Sequence, residues 1–434
     1  MSNYVLSSAT LANGSVADIR IEGDTITSVG AAGFVKRDDA EVIDCAGLVA
    51  LPGFVDLHTH LREPGFEQSE TVLTGSQSAA AGGFTAVHAM ANTSPVADTA
   101  GVVEQVYNLG KAAGYVDVQP IGAVTVGLQG KQLAEFGAMA KSSAAVRVFS
   151  DDGHCVSDPV LMRRALEYAK TFDGVVAQHA QEPRLTEGAQ MNEGTVSAEL
   201  GLAGWPAVAE EAIIARDVLL AKQVDARLHI CHLSTAGSVE LVRWAKAQGI
   251  KVTAEVTPHH LLLTDETART YDAVYKVNPP LRTNADVEAL REALIDGTID
   301  IVATDHAPHP QESKDCEWAA AANGMLGLET AASIAQLVLI ESGKSSWSRL
   351  AEVLSIKPAE IGKDAEQGQG IVVGAKANIA LVNSKAKRTI ADGGASKSSN
   401  QPFKGIELPG EVVHTVYRGY FTKRDGKLAA KGRA

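Results

Sequence analysis

Eight short apolar runs, separated by Ala-rich stretches of helical character, constrain this chain more than any other feature. They are GFVDLH (53–58), GFTAVHAM (83–90), VDVQPIGAVT (116–125), AVRVFS (145–150), GVVAQH (174–179), ARLHICH (226–232), KVTAEVT (251–257) and DIVATD (300–305). Strand-like and helix-like segments in alternation mark repeated βα units with parallel strands. Eight such units close into a (β/α)8 barrel, a TIM-like α/β fold of roughly 250 residues. The 434 residues therefore leave room for an appended module. Both chain ends supply material for it, in short period-2 segments broken by Gly-centred turns. Residues 1–52 and 366–434 are read as two halves of one small β-sandwich-like domain, flanking a barrel at 53–365.

Polar residues close run after run. The first continues as Asp56-Leu57-His58-Thr59-His60, and the fourth enters Asp151-Asp152-Gly153. The fifth ends at His179, the sixth at His232 and the eighth at Asp305. In a parallel barrel these ends share one rim, where the active sites of such barrels lie. Strand pleating has a period of two, so His58 and His60 point the same way and can chelate one ion. Imidazoles with carboxylates suit zinc or a similar divalent metal. Any one of these residues alone reads as ordinary packing; jointly, at the ends of different strands, they read as a metal site. His88, His154, His229 and His414 are assigned to packing or to hydrogen bonds behind the site. His259 and His260, after the seventh run, could do either.

The net charge of −13 argues against binding nucleic acid or an anionic membrane, which needs clustered Lys and Arg. It does not oppose a small anionic substrate, which one local Arg can hold. Cys45, Cys155, Cys231 and Cys316 are scattered without C-x-x-C spacing, which points to free thiols in a reducing compartment. No signal-like N-terminus and no long uncharged apolar run is seen, so a cytoplasmic protein is expected. Segment 309–325 carries little apolar pattern and is expected to be a loop beside the site, open to motion. ADGGASKSSNQPF (391–403) is expected to be a plain surface loop.

LPGFVDLHTHLREPG (51–65) resembles the opening signature of the amidohydrolase superfamily in its dihydroorotase form. AMANTSP (89–95), FSDDG (149–153), QHAQE (178–182), HICHLST (229–235), EVTPHHLLL (255–263), KVNPPLR (276–282), ATDHAPH (303–309) and GLET (327–330) follow in the family's order. The match runs nearly the whole chain and is closest to the long bacterial (class I) type. The resemblance implies two Zn2+ ions per subunit. His58, His60 and Asp305 would hold one, His179 and His232 the other, and Asp152, directly before the Gly, would bridge them. Many relatives bridge with a carboxylated Lys; the turn here is Ser-Asp-Asp-Gly and has none. It also implies that Arg62, Asn92 and His309 receive the substrate carboxylate, that Asn278 bonds the ring, and that Asp305 moves the proton. QHAQE departs from relatives that carry an acidic residue before this His and Cys-Glu-Asp after it.

The implied reaction is the reversible cyclisation of N-carbamoyl-L-aspartate to L-dihydroorotate in pyrimidine synthesis. The alternatives are an allantoinase or hydantoinase, separated only by the substrate residues, and a non-catalytic structural subunit. A homo-oligomer is expected, and assembly with aspartate transcarbamoylase is left open by the sequence.

Overall fold

The computed structural model describes residues 3–36 and 38–433. Eight parallel strands form the barrel: β1 (Phe54–Thr59), β2 (Phe84–Ala89), β3 (Asp117–Pro120), β4 (Val148–Phe149), β5 (Val175–Gln178), β6 (Leu228–Ile230), β7 (Val252–Val256) and β8 (Ile301–Val302). Helices cover the outside and side chains fill the inside, so the strands are buried on both faces and read as near-continuous apolar runs. Every residue of β1, β2 and β5 is buried. The ladder breaks in two places, leaving β1-β2-β3 and β4-β5-β6-β7-β8 as separate hydrogen-bonded sets. Single bridges close both gaps: Gly122 with Phe149, and Thr59 with His306.

The second closure brings β1 to β8, the strands that carry His58, His60 and Asp305. It is reinforced from inside by Asp56, a fully buried carboxylate. Asp56 accepts from the amide of Thr304 at 2.9 Å, from the hydroxyls of Thr304 and Thr59, and from the amide of His58 at 3.3 Å. Burial raises its pKa against these bonds.

The outer helices start where their sequence supplies a cap. Thr71, Asp158, Thr235 and Thr283 each accept a backbone N–H of the first turn that would otherwise be orphaned. Pro159 occupies the first position of the helix Pro159–Lys170, where no N–H is needed.

Both chain ends enter a single nine-stranded sheet. Its N-terminal part is joined to its C-terminal part where Val49–Pro52 pairs antiparallel with Ile379–Val382. The sheet encloses its own apolar cluster, including Leu6, Ile19, Ile21, Ile379, Leu381 and Phe421. It is tied to the barrel by polar contacts: Thr415 donates to Ala80 O, Lys423 to Ala81 O, and the Tyr417 hydroxyl to Asp117.

Residues 391–403, expected to be a plain surface loop, depart from that reading. Ser398, Asn400 and Phe403 are buried. Ser398 donates to Ser69 O, and Asn400 donates to Ala307 O and Gly324 O while accepting from the amide of His309. A Ser/Asn-rich composition suits solvent, but it equally suits satisfying backbone groups under a rim built of irregular loops. Among the described residues no helix is long and apolar enough to cross a membrane.

Asp56→Ala should leave several buried donors unpaired, each costing about 1–3 kcal/mol. The expected result in urea unfolding is a loss of about 3 kcal/mol or more. An unchanged midpoint would mean that barrel closure does not depend on this carboxylate.

Candidate metal centre

Asp152 stands in the middle of the rim, and its two oxygens face different pairs of histidines. Oδ2 lies 3.4 Å from His58 Nε2 and 3.4 Å from His60 Nε2. Oδ1 lies 3.1 Å from His179 Nδ1 and 3.2 Å from His232 Nε2. Asp305 Oδ1 completes the first side, 3.1 Å from His60 Nε2 and 3.6 Å from His58 Nε2. Two triads with metal-binding spacing result, one of Asp152 with His58 and His60, the other of Asp152 with His179 and His232. All six side chains are buried. The neighbouring Asp151 turns away and accepts from the amides of Val124 and Thr125 and from the Thr125 hydroxyl.

The donor set fits a pair of divalent cations. His58 Nε2 is buried with no hydrogen-bond partner among the described residues. Burial opposes charge on His58, yet Asp152, Glu255 and Asp305 outweigh it and raise its pKa well above the ordinary value. Asp305 is also opposed by burial, but His58 and His60 hold its pKa down to about 2. The pocket therefore stabilises positive charge among ionised carboxylates, which is what a cation supplies. The backbone is held under strain here as well. Arg62, His232 and Asp305 have φ of 64°, 32° and 44°, a left-handed conformation costing about 1–3 kcal/mol each and concentrated at functional sites.

Behind the triads sits Glu255, at the end of β7. Its Oε1 lies 2.6 Å from His58 Nδ1 and accepts from the amide of His232, while Oε2 lies 3.0 Å from His229 Nε2. A proton on His58 Nδ1 leaves Nε2 free to ligate, the arrangement in which a carboxylate orients a metal-binding imidazole. Cys231 lies close enough to complete a third group with His58 and Glu255. Burial pushes its thiol pKa upward, away from the thiolate a metal would need. His229 thus supports the site through Glu255, as one of its two expected roles. His260 bonds Thr257 and the carbonyls of Pro279 and Pro280, and both ring nitrogens of His259 lack partners among the described residues. Neither bonds a candidate ligand. His88 pairs with Asp364, and His154, expected to pack or to bond behind the site, is exposed.

A cavity of about 260 Å³ opens beside the triads. Arg62, Asn92, Asn278 and His309 all line it. Asn92 Oδ1 lies 2.9 Å from His60 Nδ1, which leaves its amide N–H2 for the cavity. Arg62 donates to Pro308 O, and one of its terminal nitrogens lies 3.3 Å from His309 Nε2. Burial and the adjacent Arg62 hold His309 neutral, with a pKa near 3. Asn323 and Gly324 also line the cavity and were not anticipated, because they lie inside 309–325, where no pattern marks them. A Cβ on Gly324 would come within 2.9 Å of His309 Cδ2, so only glycine allows this approach. Segment 309–325 is anchored by two lysines, one half-buried and one buried: Lys314 bonds the carbonyls of Ala273, Lys276 and Ala322, and Lys276 those of Trp318 and Ala319. A second cavity of about 230 Å³, at the opposite end of the barrel near Asp117, Arg147 and Arg418, contains no group of metal-binding spacing among the described residues.

A dihydro-orotase-like family model matches residues 47–238. The chain is 64% identical to a dihydroorotase of Streptomyces coelicolor, over 99% of this chain and 100% of that protein. It is 53% identical to a dihydroorotase of Mycobacterium tuberculosis, over 96% of this chain and 97% of that protein. Among solved structures, an L-hydantoinase (dihydropyrimidinase) from Arthrobacter aurescens superposes with a TM-score of 0.87 at 24% identity, covering 99% of this chain and 98% of that one. A dihydropyrimidinase from Brevibacillus agri gives 0.85 at 24% identity, covering 98% and 96%. At that identity the likeness concerns the fold alone.

Glu255→Ala should weaken retention of an added divalent cation by about 10–100-fold, the usual effect of losing a group that orients a ligand. Competition with a chromophoric chelator measures it. Glu255→Gln, which keeps one acceptor oxygen, should lose less.

Proposed function

This chain belongs to the dihydroorotase family, and from that membership we propose that it interconverts N-carbamoyl-L-aspartate and L-dihydroorotate at a two-zinc centre, as a cytoplasmic enzyme of pyrimidine synthesis. It is a cyclic amidohydrolase. The observation carrying the substrate is the pairing of a ligand-like cluster with a half-buried guanidinium, Arg62, on the wall of the same cavity. Hydantoin and dihydrouracil have no carboxylate for such a group to meet, whereas both proposed reactants do. The absence of gaps in the ligand positions argues against a non-catalytic subunit. A homo-oligomer, and assembly with aspartate transcarbamoylase, belong to the same reading.

His58, His60 and Asp305 would hold one ion, His179 and His232 the other, with Asp152 between them. Such ions, when bound, polarise a carbonyl and lower the pKa of water from about 15.7 to near 7. The remaining work falls to this chain's side chains. Arg62 pairs with the substrate carboxylate through its fork of donors, and the Asn92 amide and His309 flank it. Neutral His309 adds no competing charge beside the guanidinium. Asp305, whose pKa the positive charge around it keeps low, accepts the proton of the attacking water. It then delivers that proton to the departing ring nitrogen. In the direction of synthesis it takes the proton from the carbamoyl nitrogen.

Purified, zinc-replete protein should hydrolyse L-dihydroorotate and leave allantoin, hydantoin and dihydrouracil essentially untouched. Preference for another ring would retain the metal centre and discard the carboxylate-binding roles. Removal of metal by a chelator should abolish turnover, and added Zn2+ should restore it. Arg62→Gln should raise KM for dihydroorotate by about 10–100-fold, the equivalent of one charged hydrogen-bonded pair. Asp305→Asn should lower kcat by about 10²–10⁴-fold, read alongside metal content because Asp305 also faces the ions. Near-normal turnover by the metal-loaded variant would overturn its role as base.

A further inference from the structure

Between the metal-facing His179 and the cavity-facing Asn278 lies a side chain that no role above absorbs. Gln181 Oε1 is 2.7 Å from His179 Nε2 and also accepts from Asn278 Nδ2 at 3.1 Å. Its own Nε2 donates to Thr186 Oγ1 at 2.7 Å. Thr186 and His179 agree on which way round the amide sits. The Thr186 hydroxyl donates to the carbonyl of Glu182 at 3.2 Å, leaving its oxygen to accept the Gln181 N–H2. The Gln181 oxygen therefore points at the other two side chains.

Two consequences follow for the site. His179 Nδ1 faces Asp152 and His232 Nε2, so the ring proton that leaves Nδ1 free to ligate sits on Nε2 and is donated to Gln181. Asn278 spends an N–H on the same oxygen. Its Oδ1 is buried and has no hydrogen-bond partner among the described residues, in a residue that lines the cavity. A buried acceptor without a partner is costly unless a ligand supplies the donor.

We propose that Gln181 is the positioning residue that sets the hydrogen-bond polarity of the substrate cavity. By accepting from both neighbours it makes Asn278 present a carbonyl oxygen, and so selects a cyclic amide that points a ring N–H at this wall. The same oxygen holds the tautomer of His179. With the Gln181 amide reversed, Asn278 would have to turn as well and offer N–H2 to the cavity, which would select a carbonyl there. This inference rests on the site reading above, with His179 facing metal and Asn278 facing substrate.

The experiment compares Gln181→Leu with Gln181→Glu, using His179→Ala and Asn278→Ala as controls, each variant checked for native melting. Two quantities are read: KM for L-dihydroorotate and the rate of Zn2+ loss to a chelator. Gln181→Leu should raise KM about tenfold or more, the equivalent of one lost hydrogen bond with a partner left unpaired. It should also speed Zn2+ loss about tenfold or more. Gln181→Glu keeps the acceptor, with Thr186 free to donate to it, and should restore both. Asn278→Ala should move KM alone, and His179→Ala should move metal retention. If both controls behave so while Gln181→Leu moves neither quantity, the role of Gln181 is overturned and the site reading stands. If the controls themselves move nothing, the site reading falls and this inference with it. The unaltered enzyme gives a test independent of folding. Of the two mono-N-methyl dihydroorotates, one should compete at least tenfold more weakly than the parent, and equal competition by both would overturn the proposed polarity.

Discussion

Buried negative charge governs this rim. Asp152, Asp305 and Glu255 are carboxylates taken out of water within hydrogen-bonding distance of His58, His60, His179, His229 and His232. An ionised carboxylate without compensation is too costly to bury, so positive charge must lie among them. In the chain itself the imidazoles supply it, which is why the His58 pKa rises despite complete burial. The arrangement is poised to exchange those protons for cations. Strained backbone at His232 and Asp305 persists because the surrounding bonds over-determine it.

Holding that cluster requires support from well outside it. Asp56 stitches β1 to β8 where the sheet ladder is reduced to a single bridge, and Glu255 reaches from β7 to the ligands of both triads. Asn400 arrives from the segment that connects two strands of the terminal sheet, and its amide secures the backbone at Ala307, His309 and Gly324. The sheet built from the two chain ends is therefore coupled to the wall of the cavity. A loop rim offers few regular backbone partners of its own, and buried amides with fixed geometry replace them.

Side chains at the boundary between metal and substrate serve both. Asn92 uses its oxygen for His60 and keeps its N–H2 for the cavity, while Gln181 joins His179 to Asn278 through one oxygen atom. A site organised this way transmits the orientation of the ligands into the pattern of donors and acceptors that a substrate meets. Rearranging one amide reverses another, because each buried donor must end on an acceptor.

Much of this architecture is legible in the residues alone. The eight apolar runs announce the barrel, and the period of two in Asp56-Leu57-His58-Thr59-His60 puts both imidazoles on one side of a strand. Strand-end positions for His179, His232 and Asp305 follow from the same rhythm, since local pattern and burial determine where strands stop. Other features have no local signature. Glu255 reads as one polar residue within a strand, Gln181 as a departure from a familiar motif, Asn323 as part of a patternless loop, and Asn400 as one residue of a Ser-rich stretch taken for surface. Their roles are hydrogen bonds to partners far away in sequence: Glu255 to His58, Gln181 to Asn278, Asn400 to Gly324. Likewise, choosing between Asp151 and Asp152 depends on which carboxylate the turn swings inward. Sequence determined which residues reach the rim, because periodicity and burial are local properties. Tertiary structure alone decided how they are paired, because each buried polar atom must find its partner in space and not along the chain.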